Sequence, residues 1–311
     1  MTDFTPILNR IKKNKNRLKS YIKDLGLEAY RLYDRDIPEY PYIIDVYGSK
    51  LVIFEKGKRL NDYEDQKLKE KHLKHITQAL NQLFPESQTI IKERVKNKGK
   101  SQYEKELNSG NKFIVREKDL KFEVNTDDYL DCGLFLDHRP LRLQVQKMAA
   151  EKRVLNLFCY TGSLSVAAAF GSAKQVCSVD MSNTYLEWAK RNFELNRINI
   201  ADHIFLREDI VSWLPQHMDR YEIILLDPPS FSNSKKMEDI FDVQKDHLKL
   251  LTQLSKNLTE KGTLYFSNNL RSFKLDSDVS NIFEIKDITK KSIPPDFKDQ
   301  KIHQCFELKL K

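Results

Sequence analysis

At the centre of the chain lies the segment RVLNLFCYTGSLSVAAAFGSAKQVCSVD, residues Arg153–Asp180, and the architecture can be predicted outward from it. It opens with an apolar run of strand length, Val154–Cys159, which leads into the small-residue turn Tyr160–Ser163. An alanine-rich helical segment, Leu164–Phe170, ends at a glycine, and a second strand, 175–179, stops at an acidic residue. This order predicts parallel strands with a ligand at their carboxyl ends.

The turn lacks the glycines of a pyrophosphate-binding loop, and this absence restricts the class of ligand. A pyrophosphate needs several glycines in the pattern Gly-x-Gly-x-x-Gly, and this turn keeps only Gly162. A nicotinamide cofactor is therefore disfavoured. S-adenosylmethionine carries a ribose, an adenine and an amino-acid tail but no phosphate, so one glycine and one carboxylate, Asp180, would suffice. A doubly wound domain without a nucleotide is the alternative that the turn leaves open.

The composition is that of a soluble globular protein. The chain has 311 residues, of which 40% are hydrophobic and 32% charged, and this length suggests about two domains. No apolar run reaches the roughly 20 residues that span a bilayer, and the N-terminus lacks the apolar core of a signal peptide, so we expect a cytoplasmic protein. The four cysteines have no metal-ligand spacing and predict neither a disulfide framework nor a zinc site, and we expect no metal.

Positive charge is concentrated in the first part of the chain. The net charge is +8; residues 1–120 hold 26 Lys+Arg against 18 Asp+Glu, and the remainder holds 27 of each. Such a basic segment favours a polyanionic partner, although a solvated lysine-rich surface has the same composition. Within it, the loop KNKGKSQYEK offers Lys98 and Lys100 to phosphates and Tyr103 to a stacked base.

The periodicity of apolar residues predicts a two-domain organisation. Before residue 120 we expect two helices, two hairpins and a short strand, which make a basic α+β domain over residues 1–120 that docks RNA. From residue 121 to 311 we expect a doubly wound, mostly parallel sheet with an antiparallel edge formed by the last two strands.

Acidic residues follow three predicted strands of the second domain, at Asp180, Asp209 and Asp227. An open parallel sheet binds its ligands at such strand ends. We expect Asp180 to bind the ribose, Asp209 or the backbone of Ile210 to meet the adenine edge, and Met181 to pack on the adenine ring. Helix N-capping is the alternative role for these aspartates, and it fits Asp209 better than Asp180.

The loop Asp227–Phe231, with the sequence DPPSF, is the most specific motif. Its two prolines make the loop rigid, and its carboxylate and carbonyls can accept hydrogen bonds from a flipped base. Phe231 can stack on that base. A purely structural Asp-Pro-Pro turn is the alternative.

Taken together, these motifs resemble the catalytic half of the bifunctional large-subunit rRNA methyltransferase L/K, which makes 7-methylguanosine in 23S rRNA. The resemblance rests on LNLFCYTG from Leu155, VDMS from Val179, DPPSFSNSKKMEDIFDVQKDH from Asp227, FSNN from Phe266, EAYRLYDRDIPEY from Glu28, KGKSQYEK from Lys98 and NTDDYLDCGLFLDHRPLR from Asn125. It implies a Rossmann-like class I methyltransferase that uses S-adenosylmethionine. The other half, with its THUMP module and 2-methylguanosine activity, has no counterpart here, so we expect a stand-alone version and a separate protein for that half.

The resemblance also implies residue roles. Contacts to S-adenosylmethionine are implied for Asp137, His138, Arg139, Asn156, Phe158, Tyr160, Thr161, Gly162, Asp180, Met181, Asp209 and Asp227. Positions on the side of the substrate are Pro228, Pro229, Ser230, Phe231, Asn233 and Lys235, with Gln244 a weaker candidate. Of these, we expect Asp227, Pro228, Pro229 and Phe231 to form the catalytic loop and Ser230, Asn233 and Lys235 to contact RNA.

The chemistry of the acceptor leaves several reactions to weigh. Nitrogen 7 of guanine has a free lone pair, so it needs in-line placement and no general base. Methylation of pyrimidine carbon 5 needs a thiolate, and where related carbon-5 enzymes keep a cysteine this chain has Ser267-Asn268-Asn269. Methylation of an exocyclic amine, which DPPSF also suits, is the closest rival. An alternative of another class is a non-catalytic RNA-binding ribosome assembly factor.

Overall fold

The computed structural model describes residues 3–56, 63–94, 110–129, 131–232 and 241–311, and its contacts divide the chain into two compact units. The first unit comprises Met1–Leu136 together with Pro295–Asp299, and the second comprises Asp137–Pro294 and Gln300–Lys311. The first unit thus extends past the boundary expected after residue 120. That position lies in a hairpin, where Glu117 pairs with Leu120 and both strands belong to the first unit.

Among its described residues, the first unit has two helices and six strands. They are α1 (Thr5–Asp24), β1 (Ala29–Asp34), β2 (Tyr42–Tyr47), β3 (Lys50–Lys56), α2 (Tyr63–Leu83), β4 (Gln88–Arg94), β5 (Lys112–Glu117) and β6 (Leu120–Asn125). A four-stranded sheet has the order β1-β2-β3-β4, and β5 and β6 form a separate hairpin. The first three strands are antiparallel, whereas β4 lies parallel to β3 because α2 connects the two strands.

Helix α1 follows from its apolar spacing. Ile7, Ile11 and Leu18 recur at helical intervals and are buried against the apolar side chains of the first unit. A proline in the first turn favours the start of the helix. Gly26, with a φ of 53°, follows its end, and a left-handed residue at this position favours glycine.

The second unit alternates strands and helices. Its elements are α3 (Arg139–Met148), β7 (Arg153–Leu157), α4 (Ser163–Phe170), β8 (Gln175–Asp180), α5 (Asn183–Leu195), β9 (Ile204–Arg207), α6 (Ile210–Trp213), β10 (Tyr221–Leu226), β11 (Phe231–Ser232), β12 (Phe241–Asp242), α7 (Val243–Asn257), β13 (Leu258–Asn268), α8 (Val279–Ile282), β14 (Phe283–Asp287), α9 (Thr289–Ser292) and β15 (Gln304–Leu310). None of the helices in the described ranges is long and apolar enough to cross a bilayer.

The central sheet of this unit confirms the predicted doubly wound fold. Its strand order is β14-β15-β13-β10-β7-β8-β9. The five strands from β13 to β9 are mutually parallel, and β15 is antiparallel to both β13 and β14. The chain winds one way from β7 to β9 and the other way from β10, so the switch point lies between β7 and β10. A ligand is therefore expected outside the carboxyl ends of these two strands.

Helix α3 was not among the elements predicted from the sequence. Asp137 and His138 form a 3-10 turn, and Arg139 is the first residue of the helix. Leu141 and Val145, one helical turn apart, are buried. Arg139 and Arg142 are fully buried as well, so charged residues interrupt the apolar pattern that usually marks a buried helix.

Candidate active site

The turn after β7 has a backbone that few residue types adopt. Phe158, Tyr160 and Gly162 have φ values of 55°, 51° and 72°. At Gly162 a Cβ atom would lie 2.7 Å from the Cβ of Ala189 on α5, so only glycine fits there. The Phe158 ring packs on Phe241, with centroids 5.8 Å apart, and closes one side of the turn.

Asp180, at the end of β8, joins this turn to the next loop. Its Oδ2 accepts the N–H of Tyr160 at 3.0 Å, and its Oδ1 accepts the N–H of Ser182 at 2.8 Å. Burial raises the pKa of the Asp180 carboxyl to about 6, although both backbone hydrogen bonds favour the ionised form. Each oxygen keeps accepting capacity that the two hydroxyls of a ribose could use.

Polar side chains below the turn hold it in place. Nδ2 of Asn156 donates to Oγ of Ser165 at 2.8 Å, and Oγ of Ser178 donates to the same atom at 2.7 Å. The carbonyl of Thr161 accepts from Nδ2 of Asn192 at 2.9 Å, and the Thr161 side chain is buried. The structure thus places the side chains of Asn156 and Thr161 under the turn, where they support its backbone.

The loop after β9 confirms that Asp209 is a helix N-cap. Its Oδ1 accepts the N–H of Val211 at 3.1 Å, and Ile210 begins α6 with its side chain buried. The carbonyl of Met181 accepts from Nε of Arg207 at 3.4 Å. The loops after β8 and β9 are therefore connected at the same edge of the sheet.

The loop after β10 carries the DPPSF motif. Oδ1 of Asp227 accepts the hydroxyl of Ser267 at 2.7 Å, and Oγ of Ser230 donates to Oδ1 of Asn269 at 2.6 Å. Pro228 is buried and Pro229 is half-buried. Phe231 is 62% exposed, and such exposure of a large aromatic ring favours a binding role. The loop is thus fixed to the end of β13 while its aromatic ring faces solvent.

The segment before α3 brings a histidine to Asp227. Nε2 of His138 lies 3.7 Å from Oδ2 of Asp227 and 3.8 Å from Oδ2 of Asp137. Asp137 in turn accepts from Nδ1 of His303 at 2.8 Å. Sequence reasoning did not find His303, since no motif or spacing relates it to Asp137, which lies 166 positions earlier.

The remaining predicted site residues either lie outside the described residues or make a contact between two segments of the second unit. Lys98, Lys100, Tyr103, Asn233 and Lys235 lie outside the described residues. The amide of Gln244 bonds to the main chain of Lys274 through both of its polar atoms, at 2.9 Å each. Gln244 thus attaches the segment after β13 to α7.

These loops fit a nucleoside without phosphate. The turn after β7 has one glycine and therefore no phosphate cradle, and Asp180 offers a carboxylate for a ribose. The fold and this site define a class I methyltransferase. A model of the family described as S-adenosylmethionine-dependent methyltransferase matches residues 61–304, and the chain belongs to this family. S-adenosylmethionine is its methyl donor.

Two relatives within the family are named as methyltransferases of the large-subunit ribosomal RNA. The chain is 47% identical to the ribosomal RNA large subunit methyltransferase K of Neisseria meningitidis, over 100% of this chain and 89% of that protein. It is 45% identical to the ribosomal RNA large subunit methyltransferase K/L of Saccharophagus degradans, over 98% of this chain. The match spans only 41% of that K/L protein, so the chain is similar to one part of it.

Solved structures support the fold. The methyltransferase SMU.776, in complex with SAH, superposes with a TM-score of 0.79 at 24% identity, over 100% of this chain and 82% of that chain. The protein aTrm5, in complex with tRNALeu, superposes with a TM-score of 0.54 at 14% identity, over 94% of this chain and 75% of that one. At these identities the similarity concerns the fold alone.

Proposed function

We propose that this protein transfers the methyl group of S-adenosylmethionine to nitrogen 7 of a guanine in 23S rRNA. The names of the two relatives support an rRNA of the large subunit as substrate. The observation that carries the proposal is the loop Asp227–Phe231, which follows β10 at the switch point of the sheet and leaves the Phe231 ring 62% exposed. A flipped base can stack on that ring next to the donor.

The donor would lie across the carboxyl ends of β7, β8 and β9. Asp180 would accept the ribose hydroxyls, and Met181 with Ile210 would border the adenine. The other donor contacts that we propose are Asp137, His138, Arg139, Asn156, Phe158, Tyr160, Thr161, Gly162, Asp209 and Asp227. For Asn156 and Thr161 the contact is through the backbone of the turn, since their side chains lie under it.

The proposed reaction is a single displacement. The lone pair of guanine nitrogen 7 forms the new bond to carbon, the bond between that carbon and sulfur breaks, and its electron pair stays on sulfur. No proton leaves the base, so the enzyme need only align the two reactants. The purine becomes cationic, and the Asp227 carboxylate would stabilise this charge.

Carbon-5 methylation is disfavoured by the positions of the thiols. All four cysteines are buried. Cys305, which pairs with Ser267 across β13 and β15, is at the same level of the sheet as Asp227, but burial raises its pKa well above the usual value. A buried neutral thiol cannot add to a pyrimidine ring as a thiolate.

Methylation of an exocyclic amine is the closest rival. That reaction loses a proton, which some group must accept. Asp227 is the nearest candidate, but its Oδ1 accepts the Ser267 hydroxyl and its Oδ2 faces Nε2 of His138. Nitrogen 7 of guanine loses no proton when it is methylated, so it needs no base. This difference favours nitrogen 7 as the methyl acceptor.

The first unit would dock the RNA. On α1, Lys12, Lys19 and Lys23 are exposed on one side of the helix, opposite its buried residues, and none of the three takes part in an ion pair within the described ranges. They span about 16 Å along the helix axis. This exposed stripe suits a phosphate backbone. Lys98, Lys100 and Tyr103 would extend the contact from their loop, and Ser230, Asn233 and Lys235 would bind RNA beside the active site.

For the activity of the other half of the K/L relatives we propose a separate protein as partner, as the resemblance implies. Methylation of naked rRNA by this chain alone would show that the partner is not needed for the nitrogen-7 reaction.

The function is tested by incubating the protein with labelled S-adenosylmethionine and rRNA from cells that lack its gene. Nucleoside mass analysis should then show 7-methylguanosine in 23S rRNA. Labelled 2-methylguanosine would support the exocyclic amine instead. RNA binding without any label would support a non-catalytic assembly factor.

A further inference from the structure

Asp137, His138 and His303 form a buried cluster in the second unit. Asp137 and His138 precede α3, whereas His303 precedes β15. Nδ1 of His303 lies 2.8 Å from Oδ2 of Asp137, and the rings of the two histidines have centroids 4.9 Å apart. His303 is only 3% exposed. The segment before α3 and the segment before β15, which are distant in sequence, therefore meet at the Asp137 carboxylate.

The partners of His303 fix the orientation of its ring. Nδ1 lies 2.8 Å from Oδ2 of Asp137, and because a carboxylate only accepts, Nδ1 donates this hydrogen bond. Nε2 lies 2.8 Å from Oγ of Ser292, whose hydroxyl also bonds to the carbonyl of Thr289 at 2.9 Å. The ring is thus held at both of its nitrogens, between Asp137 and Ser292.

His138 connects the hydrogen-bonded pair of His303 and Asp137 to the DPPSF loop. Its Nε2 faces Oδ2 of Asp137 at 3.8 Å and Oδ2 of Asp227 at 3.7 Å. Oδ1 of Asp227 accepts the Ser267 hydroxyl at 2.7 Å. The Asp227 carboxylate is therefore oriented from two sides, by Ser267 and by His138.

We propose that His303 is a positioning residue for methyl transfer. By fixing the Asp137 carboxylate it holds the His138 imidazole against Asp227, and so it orients the carboxylate that faces the methyl acceptor. The inference rests on the proposed function, in which Asp227 stabilises the cationic purine. A charge that is already oriented needs no reorganisation during the reaction, so the loss of this orientation lowers the rate of transfer more than the affinity for the donor.

Two amide variants of His303 separate its two hydrogen bonds. His303→Asn puts an N–H near the position of Nδ1 and keeps the bond to Asp137, whereas His303→Gln puts one near Nε2 and keeps the bond to Ser292. We expect kcat to fall about tenfold or more in the Gln variant and at most about threefold in the Asn variant, the usual range for residues behind a site. KM for RNA should stay unchanged in both, and Kd for S-adenosylmethionine should change less than kcat does. Ser292→Ala is the control that keeps the bond from His303 to Asp137 and removes the Ser292 hydroxyl, with its bonds to Nε2 of His303 and to the Thr289 carbonyl.

Other outcomes would overturn the proposal. Equal losses of kcat and of Tm in both variants would show a structural role only, and a change in donor Kd at constant kcat would assign His303 to the donor site. One possible ligand atom from each of Asp137, His138 and His303 lies within 4.8 Å of the others. A metal ion bound by these atoms is therefore the alternative to the hydrogen bonds between them. Stoichiometric zinc binding in equilibrium dialysis, lost in His303→Asn, would replace the hydrogen-bonded array by a metal site.

A second measurement is independent of the proposed function. If wild-type protein methylates no rRNA, the proposed function fails, but the ring signals of His138 can still be followed by nitrogen-15 NMR. We expect them to shift in His303→Gln and to stay near the wild-type positions in His303→Asn. Unchanged signals in both variants would show that His303 does not position His138.

Discussion

The backbone N–H of Tyr160 donates to the Asp180 carboxylate at 3.0 Å, so the loops that follow β7 and β8 share a hydrogen bond. Tyr160 has a φ of 51°, and the same carboxylate also accepts the N–H of Ser182. The carboxylate that we propose for the ribose is thus hydrogen-bonded to the turn that we propose for the rest of the donor. A change at Asp180 should alter both the contact and the shape of the turn.

Donor binding should depend on pH through Asp180. Burial raises its pKa to about 6 in the folded protein, above the value of about 4 in an unfolded chain. The folded state therefore binds the proton more tightly, and this group lowers stability as pH rises from about 4 to about 6. Donor affinity has the opposite sign because ribose hydroxyls donate to the ionised form. We expect Kd, measured by calorimetry, to be roughly tenfold weaker at about pH 5 than at about pH 7.

The variant Asp180→Asn provides the control for this pH dependence. Its amide should weaken donor binding at every pH and remove the dependence, since it has no proton to lose between these pH values. A pH profile in the Asn variant that parallels the wild type would assign the titration to another group.

Gly162→Ala should destabilise the second unit. The new Cβ would lie 2.7 Å from the Cβ of Ala189, and the φ of 72° is itself unfavourable for alanine. Backbone strain and overpacking together predict a loss of about 2–5 kcal/mol in the free energy of unfolding. Urea unfolding measures it, and donor binding should weaken because the turn must move.

Two further variants separate the clash from the strain. Ala189→Gly in the Gly162→Ala background removes the Cβ that clashes and should recover part of the stability. Gly26→Ala, at a φ of 53° with open space around the new Cβ, should show the cost of backbone strain alone. If Gly162→Ala costs no more than Gly26→Ala, the close approach to α5 is not what requires glycine.

Phe231→Ala should lower turnover and leave donor affinity unchanged. Stacking of a base on an aromatic ring contributes about 1–3 kcal/mol, so kcat/KM for RNA should fall about tenfold. Met218 is the matched control, since it is 84% exposed and precedes β10, at the opposite end of the strand from Phe231. Met218→Ala should change neither quantity. A loss of donor binding in Phe231→Ala would place this ring in the donor pocket instead.

Local patterns were enough to predict most of the second unit but not its buried contacts. The alternation of strands and helices predicted the parallel sheet, and it placed Asp180 and Asp227 at the ends of strands. Both predictions succeed because strands and helices follow from short-range periodicity of apolar residues. Helix α3 was missed because the fully buried Arg139 and Arg142 break the apolar pattern. The partner of Asp137 was missed because a hydrogen bond across 166 positions leaves no local signal.

The same reason explains why residues 295–299 were not predicted to belong to the first unit. The N–H of Arg31 donates to Oδ2 of Asp296 at 2.9 Å, and the Arg31 guanidinium lies 4.1 Å from the centroid of the Phe297 ring. Both contacts join residues more than half the chain apart, so they become visible only in the folded structure.

Charge removal on α1 should weaken RNA binding in a salt-dependent way. Changing Lys12, Lys19 and Lys23 to Gln removes three exposed charges, so the slope of log K against log salt should decrease by about 2. A triple variant of Lys249, Lys261 and Lys290, which are exposed on the second unit, carries the same charge change. Equal effects of the two triple variants on RNA affinity would show that only net charge matters and that α1 is not a docking surface.

Asp45→Asn should destabilise the first unit strongly. Nε and Nη2 of Arg31 donate to the two oxygens of Asp45 at 2.8 and 3.1 Å, and both side chains are buried. The variant removes the bidentate counterion of a buried guanidinium but leaves Oδ2 of Asp34 at 3.8 Å from Nη1, so we expect a cost of about 3 kcal/mol, the lower end for a broken buried pair. Hydrogen exchange of the β1 and β2 amides measures the loss within this unit. The exposed pair of Glu187 and Lys190 is the control, since Glu187→Gln should have almost no effect on stability. If Asp45→Asn changed exchange as little as Glu187→Gln, the Arg31–Asp45 pair would not be what stabilises the first two strands.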